Sequence, residues 1–328
     1  MPRSDLPLDQ LPGYRCTTPE PDDLDAFWDA TLAENGHPLD VRMQRVETGL
    51  SLVDVHDLTF AGYGGAPIRA WYTVPAGATG PLPTVVTFHG FSGGRGLPHQ
   101  VDPWPLAGWA HLSMDTRGQG WNNGGTEATP DPDLGGGTAA GSGLMVAGVD
   151  DPRTYYYRRV YVDAVRALQA AATLEHVDAD RIIATGGSQG GGLTIAAAAL
   201  AAKVGLPLRG AMPDVPFLCD FRRSVDLASR GPYPQIETFL KGWRGRTAQV
   251  FGTLDYFDGV HLARRAACPA LFSVAVLDDI CPPSTVFAAY AEWPAEKQIE
   301  VYDFNGHEGG MGYQSRRQLA WAAERFAA

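Results

Sequence analysis

Residues 182–192 read Ile-Ile-Ala-Thr-Gly-Gly-Ser-Gln-Gly-Gly-Gly, and Gly186 to Gly190 match the pattern G-x-S-x-G. The pattern has a steric origin. A strand that turns sharply into a helix leaves its apical serine in a strained backbone conformation, and side chains two residues to either side would clash. The flanks suit that turn. The apolar run Ile182 to Thr185 reads as a buried strand, and the small-residue stretch Gly190 to Lys203 reads as a helix. Gly191 and Gly192 let such a helix lie close to the sheet. Its N-terminus points amide hydrogens at the serine and favours negative charge there. The competing reading is a glycine-rich strand–helix turn with an idle serine.

Working outward, Thr84 to Phe88, Ala270 to Leu277 and Gln298 to Tyr302 are further short apolar runs. Helical stretches lie between them at Tyr156–Thr173, Pro282–Ala291 and Ser315–Ala327. Apolar strands alternating with helices predict a mostly parallel central sheet with helices on both faces. Val53 to Thr59 and Ile68 to Val74 alternate apolar and polar across Gly62-Tyr63-Gly64-Gly65, which predicts an antiparallel hairpin entering that sheet. The whole is expected to be one α/β-hydrolase domain spanning 1–328, with a helical N-terminal extension over 1–45 and a helical insertion over 216–260. In the extension, Leu24, Phe27, Trp28 and Leu32 share one helical face, and Asp22-Asp23 can cap that helix. Gly118 to Asp151 reads as a long loop.

A serine nucleophile at 188 needs a base and an acid, and this fold supplies them in the order Ser, Asp or Glu, His. Only His261 and His307 follow the serine. His307 sits in Phe304-Asn305-Gly306-His307-Glu308-Gly309-Gly310, just beyond the last predicted strand, and is the candidate base. His261 falls in a helical stretch and reads as surface or partly packed. The acid follows the strand that ends near Leu277, where Asp278 and Asp279 are adjacent. Side chains alternate along a strand, so one of the two faces the histidine. Spacing alone leaves both open, and the other aspartate can cap the helix near Pro282-Pro283. The oxyanion donors expected for the fold are the amide of Gln189 and that of Phe91, in the loop His89-Gly90-Phe91-Ser92-Gly93-Gly94. His89 precedes the serine in this loop and reads as structural or substrate-lining.

The chain has 328 residues, 45% hydrophobic and 19% charged, enough apolar mass for a sizeable core. Its net charge of −11 repels phosphate backbones and anionic membranes, so neither nucleic acid nor membrane is an expected partner. The opening MPRSDLPLDQLPGYRC lacks a basic start followed by an apolar stretch, so no secretory signal is expected. The four cysteines, Cys16, Cys219, Cys268 and Cys281, lack CxxC spacing. No zinc site or other cofactor is expected, and reduced thiols in the cytoplasm are.

Four blocks in order carry a resemblance over nearly the whole chain: His89 to Gly96, Arg117-Gly118-Gln119, Gly186 to Gly191, and His307-Glu308. A fifth is Leu277-Asp278-Asp279-Ile280-Cys281-Pro282-Pro283-Ser284-Thr285. Together they resemble carbohydrate esterase family 7, the acetyl xylan esterase and cephalosporin C deacetylase group. The resemblance implies a serine esterase removing acetyl groups from small substrates, with Ser188, Asp278 and His307 as catalytic residues. It selects Asp278 over Asp279. It also implies an intracellular homo-oligomer, with the hexamer among the family's forms, and no metal or cofactor. Arg117 is expected to pair a buried carboxylate and Gln119 to brace the serine turn. The family often has tyrosine where this chain has Phe91, so the backbone donor is kept and a phenolic hydroxyl is lost. The alternatives are a general short-chain carboxylesterase or acyl-peptide hydrolase of the same fold, or a catalytically idle binding protein.

Overall fold

A computed structural model describes residues 5–122, 128–134 and 143–327. The glycine run 135–137 of the expected long loop lies outside them. The strands are β1 (Arg42–Val46), β2 (Val53–Ala61), β3 (Pro67–Pro75), β4 (Leu82–Phe88), β5 (Ala110–Met114), β6 (Val177–Gly187), β7 (Gly210–Asp214), β8 (Ala270–Ala275) and β9 (Lys297–Tyr302). They form one sheet in the order β1-β2-β3-β5-β4-β6-β7-β8-β9. The first three strands run antiparallel, with Val53 opposite Pro75 and Ala61 opposite Pro67 in the predicted hairpin. From β5 to β9 all pairings are parallel.

The helices are α1 (Leu24–Glu34), α2 (Pro103–Leu106), α3 (Tyr156–Ala172), α4 (Gln189–Ala201), α5 (Phe221–Leu227), α6 (Pro234–Gly242), α7 (Thr247–Leu254), α8 (Gly259–Ala263), α9 (Pro283–Glu292) and α10 (Met311–Ala327). Alternation along each strand sends side chains to both faces, and both are apolar. Val86, Phe88, Ile182 and Ala184 pack beneath α3 and α4. Val85, Ile183, Met212 and Leu271 pack against Trp104 of α2 and Trp321, Ala322 and Phe326 of α10. This is the α/β-hydrolase fold. Among the described residues no helix is long and apolar enough to cross a membrane.

Three strands escape the sequence pattern. β5 (AHLSM) is buried throughout but has no β-branched residue, and β7 (GAMPD) carries a glycine and a proline. β1 (RMQRV) is a polar, exposed edge. The stretch between β7 and β8 holds α5 to α8, so the helical segment runs past residue 260. Both expected aspartate caps fail. Asp23 stands at the N-cap of α1, but its carboxylate accepts the Tyr256 hydroxyl at 2.5 Å instead of capping the helix. At α9 the N-cap is Pro282, and the first-turn amide of Ser284 donates to Asp5.

Candidate active site

β6 ends at Gly187 and α4 begins at Gln189, leaving Ser188 alone at the bend with φ 56° and ψ −120°. Side chains rarely occupy that region, so the serine holds local strain. The surrounding backbone fixes it. The Ser188 amide donates to Asp214 O at 2.9 Å, and its carbonyl accepts the amides of Phe217 at 2.9 Å and Gly192 at 3.1 Å. A Cβ at Gly186 would stand 2.5 Å from the Phe88 carbonyl oxygen, and one at Gly190 would meet the same oxygen more closely still. Gly191 and Gly192 likewise lie against the backbone of Asp214 and Phe217. The two glycines of the pattern are therefore forced by the approach of β4.

The loops beyond three parallel strands bring the other residues to this carboxyl edge, where α/β folds concentrate their ligand sites. His307 follows β9, and its Nε2 lies 3.0 Å from Ser188 Oγ. Its Nδ1 faces Asp278 Oδ2 at 2.9 Å. Asp278 follows β8 and is buried. Its Oδ1 accepts the amides of Ile280 and Cys281, both at 2.9 Å, which leaves Oδ2 for the imidazole. Asp279 turns the other way. Arg230 donates to both its oxygens at 2.6 and 2.7 Å and holds its carboxyl below the usual range. So Asp279 belongs to an ion pair with the helical segment between β7 and β8, and not to a helix cap.

Phe91 and Gln189 flank the serine from β4 and α4. Among the described residues, neither backbone amide has an acceptor. Phe91, Trp121, Pro232, Ile280, Ser188 and His307 are among the residues lining a cavity of about 360 Å³. The rings of Phe91 and Trp121 meet edge to face, 5.8 Å apart.

Behind the site lies a buried amide network. The side chains of Gln119 and Gln189 bond reciprocally, at 2.8 and 3.2 Å. Gln119 Oε1 also accepts the Ser92 amide at 2.8 Å, and Gln189 Nε2 donates to the His89 carbonyl at 3.2 Å. The Tyr157 hydroxyl donates to Gln189 Oε1 at 2.8 Å. One network thus ties the β4 loop to the serine turn. Arg117, two residues before Gln119, donates to Asp163 at 2.5 and 2.8 Å, with both side chains buried. Tyr157 and Asp163, both on α3, were not singled out by sequence. The run Tyr155-Tyr156-Tyr157 at the head of a buried helix is the signal that marks the first.

The remaining histidines take other places. His89 Nε2 faces Ser113 Oγ at 2.8 Å, and burial lowers its pKa. His261 is not at the surface. It is buried in α8, neither ring nitrogen has a partner among the described residues, and burial pushes its pKa down to about 4.

A sequence model of the family described as "Acetyl xylan esterase (AXE1)" matches residues 1–325. The solved acetyl xylan esterase from Paenibacillus sp. R4 is 38% identical, with a TM-score of 0.87 over 97% of this chain and 99% of that one. Acetyl xylan esterase 1 from Thermoanaerobacterium sp. JW/SL YS485 is 31% identical, with a TM-score of 0.85 over 98% of this chain and 99% of that one. Acetyl esterase Axe7A of Xylanibacter ruminicola is 28% identical over 88% of this chain, which spans 64% of that relative's length. The chain belongs to the acetyl xylan esterase family of carboxylic ester hydrolases.

Proposed function

We propose that this chain is a serine esterase that removes acetyl groups from small acetylated substrates, xylo-oligosaccharides and cephalosporin C among them. One observation carries the reading. In a chain of this family, His307 stands 3.0 Å from the Ser188 hydroxyl and 2.9 Å from the Asp278 carboxylate. That is the nucleophile–base–orienter relation of acyl transfer.

In the proposed reaction, His307 Nε2 takes the Ser188 proton as Oγ attacks the acetyl carbonyl. Asp278 holds the proton on Nδ1 and stabilises the imidazolium. The amides of Phe91 and Gln189 donate to the developing oxyanion, each such donor contributing about 3–4 kcal/mol in the transition state. The imidazolium protonates the departing sugar alcohol and leaves an acetyl-serine. Water, deprotonated by His307, then releases acetate. Gln119 and Arg117 support this arrangement without touching the substrate.

The proposal takes the chain as one domain, with 1–45 as an extension and 216–260 as part of an insertion. It also takes the enzyme as a cytoplasmic homo-oligomer, with the hexamer as the form that the family resemblance implies. Light scattering after gel filtration tests the last point.

The deciding experiment is steady-state hydrolysis of 4-nitrophenyl acetate, butyrate and octanoate, with acetylated xylobiose and cephalosporin C alongside. The expected result is a sharp loss of rate beyond acetate, with acetate released from the last two. Good rates on longer acyl chains with none on acetylated sugar assign a general carboxylesterase. Cleavage of aminoacyl amides assigns a peptide hydrolase. Inertness to a fluorophosphonate probe assigns a binding protein.

A further inference from the structure

Cys281 is buried beside the catalytic constellation, and the acyl-transfer chemistry gives its thiol nothing to do. Its Sγ, an Asp278 carboxylate oxygen and a His307 ring nitrogen all lie within 4.8 Å of one another. The Ser188 hydroxyl is a further neighbour of the thiol. From these positions we infer that the triad doubles as an inhibitory site for a borderline-soft divalent cation of the zinc type, held by Cys281, Asp278 and His307. The inference rests on the esterase reading only for its consequence, the loss of activity.

The donor set decides the class of ion. Thiolate, imidazole and carboxylate together suit zinc, whereas magnesium and calcium prefer all-oxygen sites. Tetrahedral zinc with sulfur at about 2.3 Å and nitrogen or oxygen at about 2.0–2.1 Å needs its ligand atoms roughly 3.3–3.6 Å apart. His307 Nδ1 and Asp278 Oδ2 are 2.9 Å apart, so the imidazole must open slightly from the carboxylate and close on the sulfur, a shift of about an ångström. His307 supplies the movement. It is a quarter exposed, borders the cavity, and sits between Gly306 and the Gly309-Gly310 pair. Asp278 and Cys281 are the fixed side of the site. The Cys281 amide donates to Asp278 Oδ1 at 2.9 Å, so one tight four-residue turn presents carboxylate and sulfur together. The fourth position opens on the cavity and takes water or the Ser188 hydroxyl.

The exchange balances simply. The hydrated ion sheds water ligands, and the Cys281 thiol gives one proton to solvent as its sulfur binds. The imidazole stays neutral, with its proton on whichever nitrogen does not bind the metal. His307 then has no free base position for the Ser188 proton, and the enzyme stops until a chelator removes the ion. The sequence hides this set because Asp278 and Cys281 are paired with a histidine from a different loop.

The test uses the untagged full-length chain. Zinc chloride is titrated against 4-nitrophenyl acetate hydrolysis, and cobalt(II) is added to the same protein without substrate and followed by absorption. The inference expects inhibition by one equivalent of zinc, full recovery with a chelator, and a sulfur-to-cobalt charge-transfer band. Cys281→Ser is expected to lose the band and to raise the half-inhibiting zinc concentration at least tenfold, relative to its own metal-free rate. Cys16→Ser, Cys219→Ser and Cys268→Ser each keep the band, which identifies the sulfur even if the Cys281 variant does not fold. Unchanged zinc sensitivity in Cys281→Ser, or no cobalt–sulfur band in the parent protein, overturns the inference. A band in a protein inert to every ester sinks the esterase reading instead and leaves the metal site standing.

Discussion

His307 Nε2 lies 3.0 Å from Ser188 Oγ, although 119 residues separate the two along the chain. The contact exists because β6, β7, β8 and β9 are parallel neighbours whose carboxyl ends share one edge. Each loop leaving that edge starts within reach of the others. The serine is held by steric compulsion and the histidine by its carboxylate. These are different constraints, and variants separate them.

Asp278→Asn tests the second constraint. The asparagine oxygen can still accept the amides of Ile280 and Cys281, so its amide nitrogen is the group left facing His307 Nδ1. A donor there forces the imidazole proton onto Nε2, where Ser188 needs an acceptor. The expected loss in kcat is roughly 10⁴-fold with the fold intact. Asp279→Asn weakens the pair with Arg230, whose side chain is 59% exposed, and a long contact from the Ser229 hydroxyl, and such exposed pairs contribute about 0–1 kcal/mol. Its kcat should stay within about threefold of the parent. Equal losses in the two variants would overturn the assignment of roles.

Ser188→Gly and Ser188→Ala test the first constraint. Both remove the proposed nucleophile, and kcat is expected to fall by roughly 10⁵–10⁶-fold in each. They differ in stability. Alanine at φ 56° keeps the strain, whereas glycine relieves about 1–3 kcal/mol of it and loses about 0.5–1 kcal/mol in chain entropy. The glycine variant should therefore be the more stable by about 1 kcal/mol, or roughly 2 °C in Tm. Differential scanning calorimetry of the pair decides it, and identical melting points would mean that the turn stores no strain.

What the sequence revealed and what it hid follow from the same physics. The strands β4, β6 and β8 were legible because burial on both faces demands apolar runs, the half-buried edge strand β9 by its Ile299, Val301 and Tyr302, and the serine turn because β4 leaves no room for a Cβ at Gly186 or Gly190. The strands β5 and β7 were not, since their residues have poor strand propensity and tertiary packing overrides it. The choice between Asp278 and Asp279 was open to alternation because both leave the strand in a loop, beyond the end of β8 at Ala275. Only the amides of Ile280 and Cys281 and the distant Arg230 distinguish them. His261 read as surface or partly packed because α8 is too short for its periodicity to be read, yet it is fully buried.

Gln119→Ala tests the network behind the loop that follows β4. It leaves the half-buried Ser92 amide and one face of the buried Gln189 side chain without their partners. The expected destabilisation is about 1–3 kcal/mol. Because the β4 loop and the serine turn lose their tie, kcat should fall roughly tenfold or more, with KM for 4-nitrophenyl acetate little changed. A purely structural glutamine would lower Tm and leave kcat alone, so kcat and urea unfolding are measured on the same preparation.

The last prediction concerns acid stability. Burial holds His261 neutral, with its pKa lowered to about 4 from an ordinary value of 6.5. Between those values the unfolded chain binds a proton that the folded chain refuses. Stability therefore rises with pH across this window and is lost as pH falls from 6.5 towards 4. At pH 5 the contribution of this one residue is about 2 kcal/mol against folding, relative to pH 7. His261→Leu fills similar space without a titrating ring. Urea unfolding at pH 7 and pH 5 should show the parent losing about 2 kcal/mol more than the variant over that interval. If both lose the same amount, the acid sensitivity of the fold resides in its carboxylates, and the buried ring of α8 has no part in it.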